Sequence, residues 1–101
     1  MSKCLLTLIA TPELEDRLID WLLGSGHAGF TTSSGRGHGI HAARLSAAEQ
    51  VAGVQQRVIF WLQTDREEAG AVVDRLAEHF GGAGIHYWIT PVSEAGPVGS
   101  R

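Results

Sequence analysis

The apolar positions change period several times along the chain, and each change marks a new element. Lys3–Ala10 (KCLLTLIA) is a short, almost unbroken apolar run closed by a turn signal, the pattern of a buried strand. From Thr11 the period becomes helical: Leu14, Leu18, Trp21 and Leu22 fall on one stripe, with Asp16, Arg17 and Asp20 on other faces. Thr11 is expected to cap this helix, Pro12 takes the tolerated first position, and Gly24 and Gly26 stop it. A second strand is expected at about Gly29–Ser34. Over Gln55–Gln63 a period of two sets Val58, Phe60 and Leu62 against Ile59 and Trp61. Asp65 opens the next helix, with Glu68 three residues on as a capping-box partner, and Ala69, Val72, Val73, Leu76 and Phe80 form its apolar stripe. Gly81, Gly82 and Gly84 end that helix. Ile85–Val92 is the last strand, with Ile85, Tyr87 and Ile89 alternating against His86, Trp88 and Thr90.

The order βαββαβ predicts an α+β, ferredoxin-like domain: a four-stranded antiparallel sheet with both helices on one face. The domain is expected to occupy residues 1–93, and residues 94–101 to form a flexible C-terminal tail. One feature does not fit an isolated domain. An antiparallel sheet with one solvated face alternates apolar with polar residues. Here Leu5 and Leu6, Leu8 and Ile9, Ile59 and Phe60, and Trp61 and Leu62 place large apolar groups on both faces. Something must cover the face that the helices leave open, and further copies of the same chain are the simplest cover.

Between the second and third strands lies the stretch that interrupts this regular pattern, residues 33–52. It opens with Gly35, Gly37 and Gly39 at alternate positions and carries Arg36, His38, His41 and Arg44, with no acid before Glu49. Loops of this length are usually functional or disordered, and the glycines let backbone N–H groups approach a ligand closely. Ser46–Glu49 has the spacing of a second capping box, so a short helical turn is expected there.

The charge balance sharpens this picture. The whole chain carries a net −3, which argues against nucleic-acid binding, yet residues 33–48 hold two arginines and no acid. A basic loop on an acidic body suits an anionic ligand or an acidic partner surface. At 101 residues the chain is one domain, and a single cysteine, Cys4, excludes an internal disulfide or a CxxC metal site. No stretch approaches the ~20 apolar residues of a membrane span. These features lead us to expect a cytoplasmic protein with no membrane insertion.

Three sets of residues are candidates for chemistry. His38 and His41 stand in an H-x-x-H spacing, and neutral imidazoles bind transition metals. Arg36 and Arg44 flank them and can clamp a phosphate or carboxylate. His86 and Trp88 alternate with Tyr87 on the last strand and would form a cleft wall, or else pack in a subunit interface. Serines 33, 34 and 46 lie near histidines, but no acid is placed to orient a base, so no enzyme is expected.

With these features in place, the chain resembles the PII-like signalling proteins, and more closely a small PII-like family of unknown function encoded beside heavy-metal efflux pumps of the resistance-nodulation-division (RND) class. The stretches that carry the resemblance are CLLTLIATPELEDRLIDWLL, GRGHGIHAARLSAAEQVAGVQQRV and GIHYWITPV. The resemblance implies a homotrimer with sheets facing inward and a ligand cleft between subunits. Gly35–Gly39 would match the base of the family's long loop, and Gly81–Gly84 the turn before the last strand. Taken with the candidate residues above, it points to a ligand site drawn from Gly35, Arg36, Gly37, His38, Gly39, Arg44, His86 and Trp88, the cofactor being open between a transition metal ion and an adenine nucleotide. It further implies an RND-type efflux pump or its regulator as partner. The chain departs from the family pattern in two respects: the turn Phe80–Ile85 has no basic residue, and the loop has no tyrosine to be uridylylated. The alternative function is a metal-binding protein of the copper-tolerance type, holding an ion through His38 and His41 without signalling.

Overall fold

The computed structural model describes residues 2–27, 29–38 and 54–101. The elements run β1 (Lys3–Ala10), a 3₁₀ turn (Pro12–Leu14), α1 (Glu15–Gly24), β2 (Phe30–Gly37), β3 (Gln55–Asp65), α2 (Arg66–Phe80) and β4 (His86–Pro91). The strands form one antiparallel sheet in the order β2-β3-β1-β4. This is the expected ferredoxin-like arrangement.

One face of the sheet meets the helices, and there the alternation read from the sequence decides the core. Cys4, Leu6, Leu8 and Ala10 of β1 and Val58, Phe60 and Leu62 of β3 are buried against Leu14, Leu18 and Leu22 on the first helical segment and Ala69, Val72 and Leu76 on α2. The helices are also locked to each other by rings. Trp21 meets Phe80 edge-on at 5.9 Å between centroids, and the Arg17 guanidinium sits 5.5 Å above the Phe80 ring.

Two helix starts differ in how they are capped. Thr11 has extended backbone but no side-chain cap; its carbonyl accepts from Leu14 N–H at 3.0 Å, so the chain enters through a 3₁₀ turn instead of the expected capped α-helix. Pro12, lacking an N–H, leaves less for a cap to satisfy. Asp65 does cap α2, its Oδ1 accepting from Glu68 N–H at 2.8 Å. The Glu68 carboxylate accepts from Arg75 Nη2 at 3.0 Å. Substituting Asp65→Ala should therefore lower stability by about 1 kcal/mol, read as a shift in the urea midpoint; an unchanged midpoint would show that the cap contributes nothing.

The opposite face is not covered by α1 or α2. In register across it run Thr31, Trp61, Thr7 and Trp88, and beside them Ser33, Ile59, Ile9 and His86. Thr7 is a polar residue only 4 % exposed, because Trp61 and Trp88 flank it on the neighbouring strands. Trp88, on an edge strand, is 51 % exposed. A broad apolar surface is thus built from Leu5, Ile9, Ile59, Trp61 and Trp88, as the doubled apolar pattern required.

The start of the loop is corrected. The sequence places it at Ser33, but β2 continues through Ser34, Gly35 and Arg36 to Gly37, paired residue by residue with β3 from Ile59 down to Gln55. Glycine disfavours strands on its own, yet here two glycines fit beneath long side chains from β3. The strand also begins at Phe30 instead of Gly29, β3 runs two residues past Gln63, and β4 is one residue shorter at each end than expected. The expected turn at Ser46–Glu49 lies outside the described residues.

A cationic cleft at the end of the sheet

The cleft forms where the uncovered face reaches the end of the sheet. Its floor is the row Ile59–Ile9–His86, contributed by three neighbouring strands. The next row outward pairs Gly35 with Arg57, and the chain then leaves β2 through Gly37 and His38. Arg36 adds to one wall, Trp88 to the other, and Gly84 closes the end nearest α2. The cleft is open to solvent on one side and has a volume of about 300 Å³.

Local sequence explains why the backbone can pass this point. Gly82 and Gly84 have φ of 85° and 78°, a region unfavourable to side chains, and a Cβ on Gly81 would collide with the Ala77 carbonyl. The turn before β4 is therefore made of glycines by necessity. It also shapes a second, apolar cavity of about 430 Å³ on the helix side, between α2 and β4, so Gly84 borders both spaces.

Six of the residues expected at a ligand site line this one cleft: Gly35, Arg36, Gly37, His38, His86 and Trp88. Gly39, His41 and Arg44 lie outside the described residues, as does the His38–His41 pairing expected to hold a metal. Among the described residues no group of three or more histidine, cysteine, aspartate or glutamate side chains stands close enough to hold a metal ion.

Sequence reasoning missed Arg57. Its signal is masked by the apolar alternation of β3, yet the same period of two puts Arg57 on the face of Ile59 and Trp61. Arg36, by contrast, pairs with Gln56 and has the parity of the helix-facing positions Phe30, Thr32 and Ser34. Of the two arginines in the cleft, Arg57 is the one whose strand position directs it to the cleft face. The described lining contains cations, imidazoles, aliphatic groups and an indole, and no acid. An anion there meets no like charge among the described residues, and an apolar or aromatic portion of the same molecule meets Ile9, Ile59 and Trp88.

The tail does not contribute to this site. Arg101 pairs with Glu94 at 2.9 Å on the surface, and Lys3 Nζ donates to the Ala95 carbonyl at 3.2 Å. No helix among the described residues is long and apolar enough to cross a membrane.

Solved structures show the same ferredoxin-like fold. A DUF3240 family protein from Shewanella baltica superposes with a TM-score of 0.76 at 21% identity, over 97% of this chain and 98% of that one. A protein of Thermus thermophilus named for its likeness to PII signalling proteins gives 0.63 at 25% identity, over 91% of each chain. CPII, a nitrogen regulatory PII-like protein from Thiomonas intermedia solved with ADP, AMP and bicarbonate, gives 0.71 at 15% identity, over 97% and 98%. No curated protein matches. Residues 1–99 match the family described as "Protein of unknown function (DUF3240)", and the chain belongs to that family.

Proposed function

We propose that this chain is a homotrimeric PII-like regulator that binds a small anionic ligand in the cleft and acts through the segment between β2 and β3. The observation that carries this reading is the lining of the cleft: Arg36, Arg57, His38 and His86 around an apolar floor, with no acid among the described residues. The ligands in CPII, two adenine nucleotides and bicarbonate, are of the chemistry that such a lining would take. Three copies meeting through their open sheet faces would bury Trp61 and Trp88 and place a neighbour beside each cleft.

Regulation follows from position. Arg36, Gly37 and His38 line the cleft and lead directly into the segment that follows β2. A ligand that prefers one arrangement of this strand end shifts the population of the whole segment, and a partner that recognises that arrangement responds. The partner expected from the resemblance is an RND heavy-metal pump or its regulator, met on the cytoplasmic side. The described lining suits holding and sensing a ligand.

Isothermal titration with ADP, AMP and bicarbonate tests this. At least one is expected to bind, with an affinity that falls as salt is raised, because the contacts are ionic and partly exposed. Absence of heat with all three at low salt would overturn the anion reading. His38 and His86 share the cleft, which favours a metal ion as the second reading. Zinc or copper binding to the wild type that is lost in the His38→Ala/His86→Ala variant would establish it in place of the first.

A further inference from the structure

Where β2 and β3 enter the cleft, two glycines face two long side chains. A Cβ on Gly35 would stand 3.0 Å from Ile59 Cδ1, and a Cβ on Gly37 would stand 3.3 Å from Arg57 Nε and 3.4 Å from its Cγ. In register Arg57 pairs with Gly35, not Gly37. The side chain therefore leans along the strand pair and lies over the bare backbone of Gly37, as Ile59 leans from its partner Ser33 onto Gly35. At 3.0–3.3 Å a methyl group would sit tighter than ordinary contact, so the side chain above would have to give by a few tenths of an ångström. No hydrogen bond or ion pair joins Arg57 to another described residue, and its side chain lies in close contact with the backbone of Gly37.

We infer that Gly37 is a positioning residue: its missing side chain is what aims the Arg57 guanidinium into the cleft, where it donates to the ligand's anionic group. This rests on the anion-binding reading and changes the role of Gly37 within it. The expectation for a loop glycine is that its own N–H approaches the ligand. An alanine retains that N–H, so Gly37→Ala would then be tolerated. If Gly37 acts by admitting Arg57, the same methyl group displaces the guanidinium, and its planar fork loses the geometry that an oxyanion needs.

The two roles separate in a double-mutant cycle, with ADP and inorganic phosphate as probes in titration calorimetry. Gly37→Ala and Arg57→Ala are each expected to weaken binding by about tenfold or more, the effect of losing a charged hydrogen bond. The double variant is expected to bind no more weakly than Arg57→Ala alone, since both changes remove one interaction. Wild-type affinity in Gly37→Ala, or losses that multiply in the double variant, would overturn the inference. Arginine side-chain NMR keeps the outcome independent of the ligand and of how well the variant folds. A nuclear Overhauser contact between Arg57 Nε–H and the Gly37 α protons is expected in the wild type, and its absence there would overturn the positioning. If neither ADP nor phosphate binds the wild type while this contact is present, the anion reading fails and the positioning of Arg57 by Gly37 stands.

Discussion

Trp61→Glu should reduce the assembly to single chains. Trp61 lies in the middle of the open sheet face, between Thr31 on β2 and Thr7 on β1, on the side away from α1 and α2. In the proposed trimer that face is buried, and an uncompensated carboxylate there would be moved from water into an apolar contact, a cost of several kcal/mol. Three copies share the contact, so the cost is incurred three times. Sedimentation or light scattering should give three times the chain mass of 10.8 kDa for the wild type and 10.8 kDa for the variant. Leu23→Glu, an exposed position on α1 on the other side of the sheet, should leave the assembly intact. A wild type of 10.8 kDa would remove the trimer from the account, and an intact trimer in Trp61→Glu would place the contact elsewhere.

The second large effect concerns the other face of the same strand. Phe60 is fully buried, with its ring centroid 6.1 Å from that of Phe30, and it is the largest side chain wholly inside the domain. Phe60→Ala should cost about 3–5 kcal/mol, from lost transfer energy and from the cavity left behind. Small domains have about 5–15 kcal/mol in all, so the variant should unfold at a much lower urea concentration. The comparison must be made at one protein concentration, because assembly adds to apparent stability. A loss under about 1 kcal/mol would mean that the core closes over the gap.

Much of this architecture was legible because the periods are clean. The stripe Ala69–Val72–Val73–Leu76–Phe80 has no competing pattern, and β3 alternates without a break, so α2 and the sidedness of β3 follow from spacing alone. The second apolar face was legible too, since Ile59 and Trp61 between Val58, Phe60 and Leu62 leave no polar side for water. The end of β2 was not. Ser-Ser-Gly-Arg-Gly has the composition of a loop, and what makes it a strand is the pairing with β3 and the side chains of Arg57 and Ile59, which lie far along the chain. Local propensity cannot report such a neighbour. Thr11 misled for a simpler reason: residue type suggests a cap, but only backbone geometry decides whether the hydroxyl reaches an N–H. The cleft was half legible. Arg36, His38, His86 and Trp88 stand out by chemistry, whereas Arg57 shows its place only once its strand parity is followed outward from Ile59.

The double use of β3 has a consequence for how this molecule can vary. Val58, Phe60 and Leu62 hold the core, while Arg57, Ile59 and Trp61, alternating with them, hold the cleft and the open face. A single-residue insertion or deletion within this strand would exchange the two sets, placing an arginine in the core and a phenylalanine in the cleft. The middle of β3 is thus closed to changes of length and nearly closed to changes of type. New ligand preferences in a chain of this design have to arise where the strands end, at the exit of β2 and in the glycine turn before β4, because only there can a residue change without being answered on the opposite face.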